Sequence, residues 1–156
     1  PASDKNFVRL REQSGHDDTL TLSGNGQKVH IVARRIHPKR SNFSGISKDK
    51  YTARLYQGKP FYGVDSIIPK SVFALESITL NGQAVPAAEL QGLFSPDFAS
   101  TARGSNVYQR WEAYYRHTDK TLYLFGRQGS DGNPFSVCFI FKDGKFQRRY
   151  LWGAAI

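Results

Sequence analysis

Apolar and polar residues alternate with a period of two through most of the C-terminal half. Val107, Trp111, Ala113 and Tyr115 fall on one strand face, and Arg110, Glu112, Tyr114 and Arg116 on the other. Thr118-Asp119-Lys120 supplies a turn into Thr121–Phe125, and Gly129 to Pro134 reads as a longer loop. Phe135, Val137, Phe139 and Phe141 then share one face of a third strand. Asp143-Gly144 is a two-residue hairpin turn into a fourth strand, Phe146 to Trp152. Sequential strands usually pair with their neighbours, so Val107–Trp152 is expected to form a four-stranded antiparallel meander with one aromatic, buried face.

The N-terminal half is less regular. Thr19 to Leu22 alternates like a strand, Gly24-Asn25-Gly26 tolerates the positive φ of a turn, and Val29 to Ile36 reads as the returning strand. His37 to Lys50 is polar, carries Pro38 and Gly45, and is expected to be a loop. Tyr51 to Tyr56 fits either type. Ser47 can cap a helix that stops at Gly58, with Tyr51 and Leu55 on one side, and the reading leans to helix over strand. Ser77 to Leu80 followed by Asn81-Gly82 signals a hairpin. Pro86 to Leu90, with Pro in the favoured first position and Gly92 beyond, predicts a short helix.

These elements predict a mainly β fold, with α+β as the alternative: an antiparallel sheet, the C-terminal meander, and one or two short helices. The 156 residues suit a single globular domain spanning 1–156. With 11 Phe, 8 Tyr and 2 Trp the chain can bury a core despite a mean hydropathy of -0.51, which argues against intrinsic disorder. No apolar run approaches the roughly 18 residues of a membrane-spanning helix.

Candidate chemistry is sparse. Cys138 is the one cysteine, which excludes an internal disulfide and any multi-cysteine zinc site. His16, His30, His37 and His117 are scattered without the spacing of metal-ligand pairs, so neither a metal nor a cofactor is expected. His16-Asp17-Asp18 and His117-Thr118-Asp119 set acids beside histidines. Both stand where turns are predicted, and Asp favours turns for backbone reasons. Neither a nucleophile elbow, a phosphate-binding loop nor a dinucleotide fingerprint is present, and no catalytic residue is assigned. Cys138 falls opposite Val137, Phe139 and Phe141 and reads as a structural thiol.

Charge changes the picture most. The chain carries 22 Lys+Arg against 13 Asp+Glu, a formal +9. Lys28, Arg34, Arg35, Lys39, Arg40, Lys48, Lys50, Arg54 and Lys59 concentrate in one stretch whose single acid is Asp49, with Tyr51, Tyr56, Phe61 and Tyr62 nearby. A smaller group holds Lys142, Lys145, Arg148 and Arg149. Arg34, Arg35, Lys39, Arg40, Lys48, Lys50 and Arg54 are the expected partner-binding residues. Basic groups flanked by aromatics suit an acidic protein partner, where charge steers and rings anchor. They also suit a single-stranded nucleic acid. The favoured reading is a small, exported, non-enzymatic protein that binds and inhibits or neutralises another protein, of the inhibitor or toxin-immunity type. The alternatives are a nuclease-like secreted toxin and a non-catalytic nucleic-acid binder. A start of Pro1-Ala2-Ser3 in a chain without Met suits a removed signal peptide, so a periplasmic or secreted location is expected.

Overall fold

The computed structural model describes residues 6–16, 18–64, 68–96, 98, 111–128 and 135–153. Its strands are Phe7–Arg9 (β1), Arg11–Gly15 (β2), Thr19–Gly24 (β3), Gln27–Ile36 (β4), Phe43–Ser44 (β5), Leu55–Tyr56 (β6), Val72–Leu80 (β7) and Gln83–Ala84 (β8). Trp111–Arg116 (β9), Thr121–Gln128 (β10), Phe135–Lys142 (β11) and Lys145–Gly153 (β12) complete the set. The fold is mainly β, built from antiparallel sheets, and among the described residues its helical content is two single 3-10 turns, Arg40–Asn42 and Ala87–Glu89.

Two five-stranded sheets form, in the orders β1-β9-β10-β11-β12 and β2-β3-β4-β7-β8, beside a two-stranded ribbon of β5 and β6. The chain crosses from one large sheet to the other at Leu10, whose N–H bonds to the carbonyl of Ala113 while its side chain is buried. One core joins both sheets. Leu20, Leu22, Val29, Ile31, Ile78 and Leu80 meet Trp111, Leu122, Leu124, Val137, Phe139 and Phe141 in a single cluster. Most of these buried positions alternate with more exposed ones, as a strand with one face inward requires, and Thr21 and Cys138 are buried on the other face as well.

The meander is present from Trp111 onward as β9 to β12, paired in sequence order. Residues 107–110 and the 129–134 connection lie outside the described residues. The three predicted hairpin turns form alike. Asn25-Gly26, Asn81-Gly82 and Asp143-Gly144 each hold positive φ at both positions, the twist that suits a two-residue hairpin and that glycine adopts without strain.

Three expectations are corrected. The helix favoured between Ser47 and Gly58 does not form. Lys50 sits at φ 67°, and Gln57 and Gly58 are also left-handed, so a helix could not run through the segment. The Ser47 hydroxyl donates to the Asp49 carboxylate and accepts from the Thr52 N–H, a turn instead of a cap, and the chain proceeds into β6. The helix expected at Pro86–Leu90 is only one 3-10 turn, closed by Leu90 N–H on the Ala87 carbonyl. The loop expected over His37–Lys50 contains a 3-10 turn and β5. This connection between β4 and β7 is held by its own small core of Phe43, Ala53, Tyr56, Val72 and Phe94, with Phe43 and Tyr56 rings 5.1 Å apart.

One cross-strand pair sets the depth of the main core. Trp111 lies opposite Gly126, and a Cβ on Gly126 would stand 2.6 Å from the indole ring. Trp111→Ala is expected to lower unfolding free energy by about 3–5 kcal/mol. Gly126→Ala is expected to destabilise as well, because the fully buried indole has to shift. Urea unfolding followed by circular dichroism checks both; an unchanged midpoint in either variant contradicts the packing.

Candidate functional site

The sequence-predicted basic residues follow the end of β4 and the β4–β7 connection. Ala33 is buried, so Arg34 points to the outer side of its sheet, where it pairs with Glu76 at 3.5 Å. Arg35 turns the other way, its guanidinium 4.5 Å from the centre of the Phe73 ring and bonded to the Ser71 hydroxyl. Arg40 donates to the carbonyl of Lys50, and the stem of Arg54 packs over Gly45. Lys39, Lys48 and Lys50 are exposed. Arg35 thus ties the end of β4 to the start of β7, while Arg40 and Arg54 brace the connection internally. Of the aromatics expected to flank them, Tyr56 and Phe61 pack into the small core and Tyr62 against the main one; Tyr51 alone is fully exposed.

A second surface combines rings and arginines more fully. Burial of Trp111, Ala113, Leu122, Leu124, Val137 and Phe139 turns the intervening side chains of the β1-β9-β10-β11-β12 sheet outward. Strand register arranges them in rows across the sheet. One row runs Trp152, Ser136, Arg127; the next Tyr150, Cys138, Phe125, Glu112; the next Arg148, Ile140, Tyr123, Tyr114, Arg9. Phe7 and Arg116 follow opposite one another. The small Cys138 of β11 therefore lies between the rings of Phe125 on β10 and Tyr150 on β12, and Ser136 between Arg127 and Trp152. Neighbouring strands are about 4.8 Å apart, so those rings rise roughly 10 Å from one another.

Part of the face is braced. Phe7 and Tyr123 rings are 5.9 Å apart, Tyr123 and Phe125 6.5 Å, and Tyr114 meets Phe125 edge-on at 6.3 Å. The Arg116 guanidinium lies 5.2 Å from the Phe7 ring centre and 5.9 Å from that of Tyr123. Glu112 accepts from Arg9 at 3.2 Å and from the Tyr114 hydroxyl at 2.9 Å. Burial, then the Glu112 carboxylate, raises the Tyr114 hydroxyl above its ordinary value and keeps it a donor. At the margin of this braced part Phe125 (37 % exposed), and beyond it Tyr150 (49 %) and Trp152 (44 %), offer apolar area to the surroundings. Arg148 donates to the Tyr150 hydroxyl at 3.2 Å. Aromatics and arginine are the residue types that dominate protein interfaces.

The histidines do not converge. His30 shares a hydrogen bond with the Thr21 hydroxyl at 2.8 Å, and His117 lies 2.8 Å from the Asn25 amide. Among the described residues, no three His, Cys, Asp or Glu side chains gather to hold a metal. The acid beside His117 serves its turn: Asp119 accepts from the Thr121 N–H and from Arg116 at 2.6 Å. Cys138 is only 5 % exposed on the outer side of its sheet, as its alternation requires. Burial pushes its thiol up to about 11.

Two pH effects follow. Cys138 stays a thiol at neutral pH, so alkylation by iodoacetamide at pH 8 should be much slower in the folded protein than in urea, and should accelerate as pH approaches 11. Mass spectrometry of the labelled protein checks this; equal folded and unfolded rates contradict the burial. Hydrogen bonding to Arg116 holds the Asp119 carboxyl down at about 2. A depressed folded value means the stabilisation is present above the ordinary carboxylate range and fades as pH falls toward 2. A carboxylate NMR titration of Asp119 with its midpoint near 4 contradicts the pair.

Compared with protein-family models, with curated proteins and with solved structures, the chain finds no match.

Proposed function

We propose that this is a non-enzymatic binding protein of the inhibitor or immunity type, which docks an acidic partner protein on the outer face of the β9–β12 sheet. The observation that carries the reading is the joint exposure of Phe125, Tyr150 and Trp152 beside Arg148. Tyr and Trp bring large contact area with few rotatable bonds, and Arg pairs with carboxylates in two bonds, so such a cluster forms the centre of an interface. Lysines of the β4–β7 connection lie in the other sheet's half of the molecule. In this reading they add to the net charge of +9 that draws an acidic partner in.

A protein partner is favoured over a nucleic acid by one feature of the face. Phe7, Tyr114, Tyr123 and Phe125 already pack against one another, which leaves few ring faces on which bases could stack.

The test compares the wild type, the Tyr150→Ala/Trp152→Ala pair and the Arg34→Ala/Arg35→Ala pair for binding to the protein recovered on the wild type. Loss of the two rings should weaken affinity by at least about 30-fold, the effect of removing one interface centre of roughly 2 kcal/mol. Loss of the two arginines should slow association a few-fold and leave dissociation unchanged. The reverse ordering would move the site to the basic stretch. A log–log salt slope near the number of lost phosphate contacts would indicate a nucleic acid instead.

A further inference from the structure

We infer that β12 is a receptor strand: its open edge takes up an extended acidic segment of the partner as a sixth strand of the sheet. The inference rests on the proposed docking face and specifies how that face is engaged. In the sheet order β12 is terminal, and among the described residues no strand pairs along its far side. Its nine residues make it the longest edge strand among them; β1 has three, β2 five and β8 two. None of its side chains is buried. About half of its amides and carbonyls point away from β11, because each residue of an antiparallel strand bonds to one side only. Such an edge is a template for another chain.

The chemistry of β12 selects the occupant. Lys145, Arg148 and Arg149 are its charged residues, and Lys145–Gly153 contains no acid. The inward Arg149 is partly engaged by Glu89, through the backbone carbonyl and the carboxylate at 3.7 Å, which ties this edge to the 3-10 turn of the facing sheet. A second copy of this chain pairing antiparallel along the same edge would bring basic side chains against basic side chains, which destabilises a ladder. A segment carrying Glu or Asp at alternate positions places its acids beside Arg148 on the outer face. Its apolar residues then fall on the inner face, beside Phe146 and Leu151. Strand addition places the outward acids level with Tyr150 and Trp152 as well, whose hydroxyl and indole N–H can donate to them, so backbone pairing and ring contact reinforce each other.

The probe is a capped nine-residue peptide of alternating Glu and Val, with two controls: the same peptide N-methylated at every second residue, and its Lys-Val counterpart. Amide hydrogen exchange of the isotope-labelled protein is followed by NMR. The Glu-Val peptide should slow exchange at alternate residues between Lys145 and Gly153 by about tenfold or more at saturation, and neither control should. Equal perturbation of Tyr150 and Trp152 by the N-methylated peptide, without amide protection, overturns strand addition while leaving the docking face in place. Absence of any change at β12 with all three peptides overturns it too, and the Tyr150→Ala/Trp152→Ala comparison with the recovered partner then judges the face independently.

Discussion

Period-two alternation in β9–β12 makes the core and the candidate site two sides of one constraint. Each side chain committed inward fixes its neighbours outward, so packing Trp111, Leu124, Val137 and Phe139 inside also delivers Glu112, Phe125, Cys138 and Tyr150 to the opposite face. A slip of one residue between two of these strands would exchange the two sets, burying charge and exposing the core. The Asp143-Gly144 hairpin and the turn at residues 117–120, braced by Asp119, hold that register. The same register therefore fixes the side of the sheet on which the outer rings stand.

This coupling explains what was legible in the sequence. The meander could be read because local chemistry and long-range structure agree there: alternation, Asp-Gly and the Thr-Asp-Lys turn all point to the same strands. The outward assignment of Glu112, Tyr114, Arg116 and Cys138 followed from the same alternation. What alternation does not say is which faces remain uncovered. Tyr and Phe occur on both sides of β9 and β10, so the exposure of Phe125, Tyr150 and Trp152 emerges only once strand order and burial are known. The rings around the basic stretch were illegible for a related reason. Closeness in sequence suggested a flanked patch, but Tyr56 and Phe61 are drawn into a core made with Val72 and Phe94, residues far along the chain. β1 and β2 were invisible because β1 is only three residues long and β2 is polar, and each gains strand structure from a partner elsewhere: β9 for the first, β3 for the second.

Charge and apolar area are divided between the two halves of the molecule. Exposed lysines concentrate on the connection beyond β4, which also carries Tyr51, while Phe125, Tyr150 and Trp152 stand together on the other sheet with Arg148 among them. Long-range attraction depends on net charge and needs no fixed geometry, so exposed lysines can supply it from any side. Anchoring needs fixed rings, and the most regular part of the fold supplies those. The buried thiol of Cys138 lies between Phe125 and Tyr150 in the same row, where burial keeps it neutral and makes the floor of the face apolar at physiological pH.

The most direct test of this account is where a partner touches the molecule. A photo-crosslinking residue placed at Tyr150 in one version of the protein and at Arg34 in another, each irradiated in cells of the source organism, reports that contact. The account predicts one acidic protein crosslinked from position 150 and none from position 34. Crosslinking of that protein from position 34 alone would contradict it.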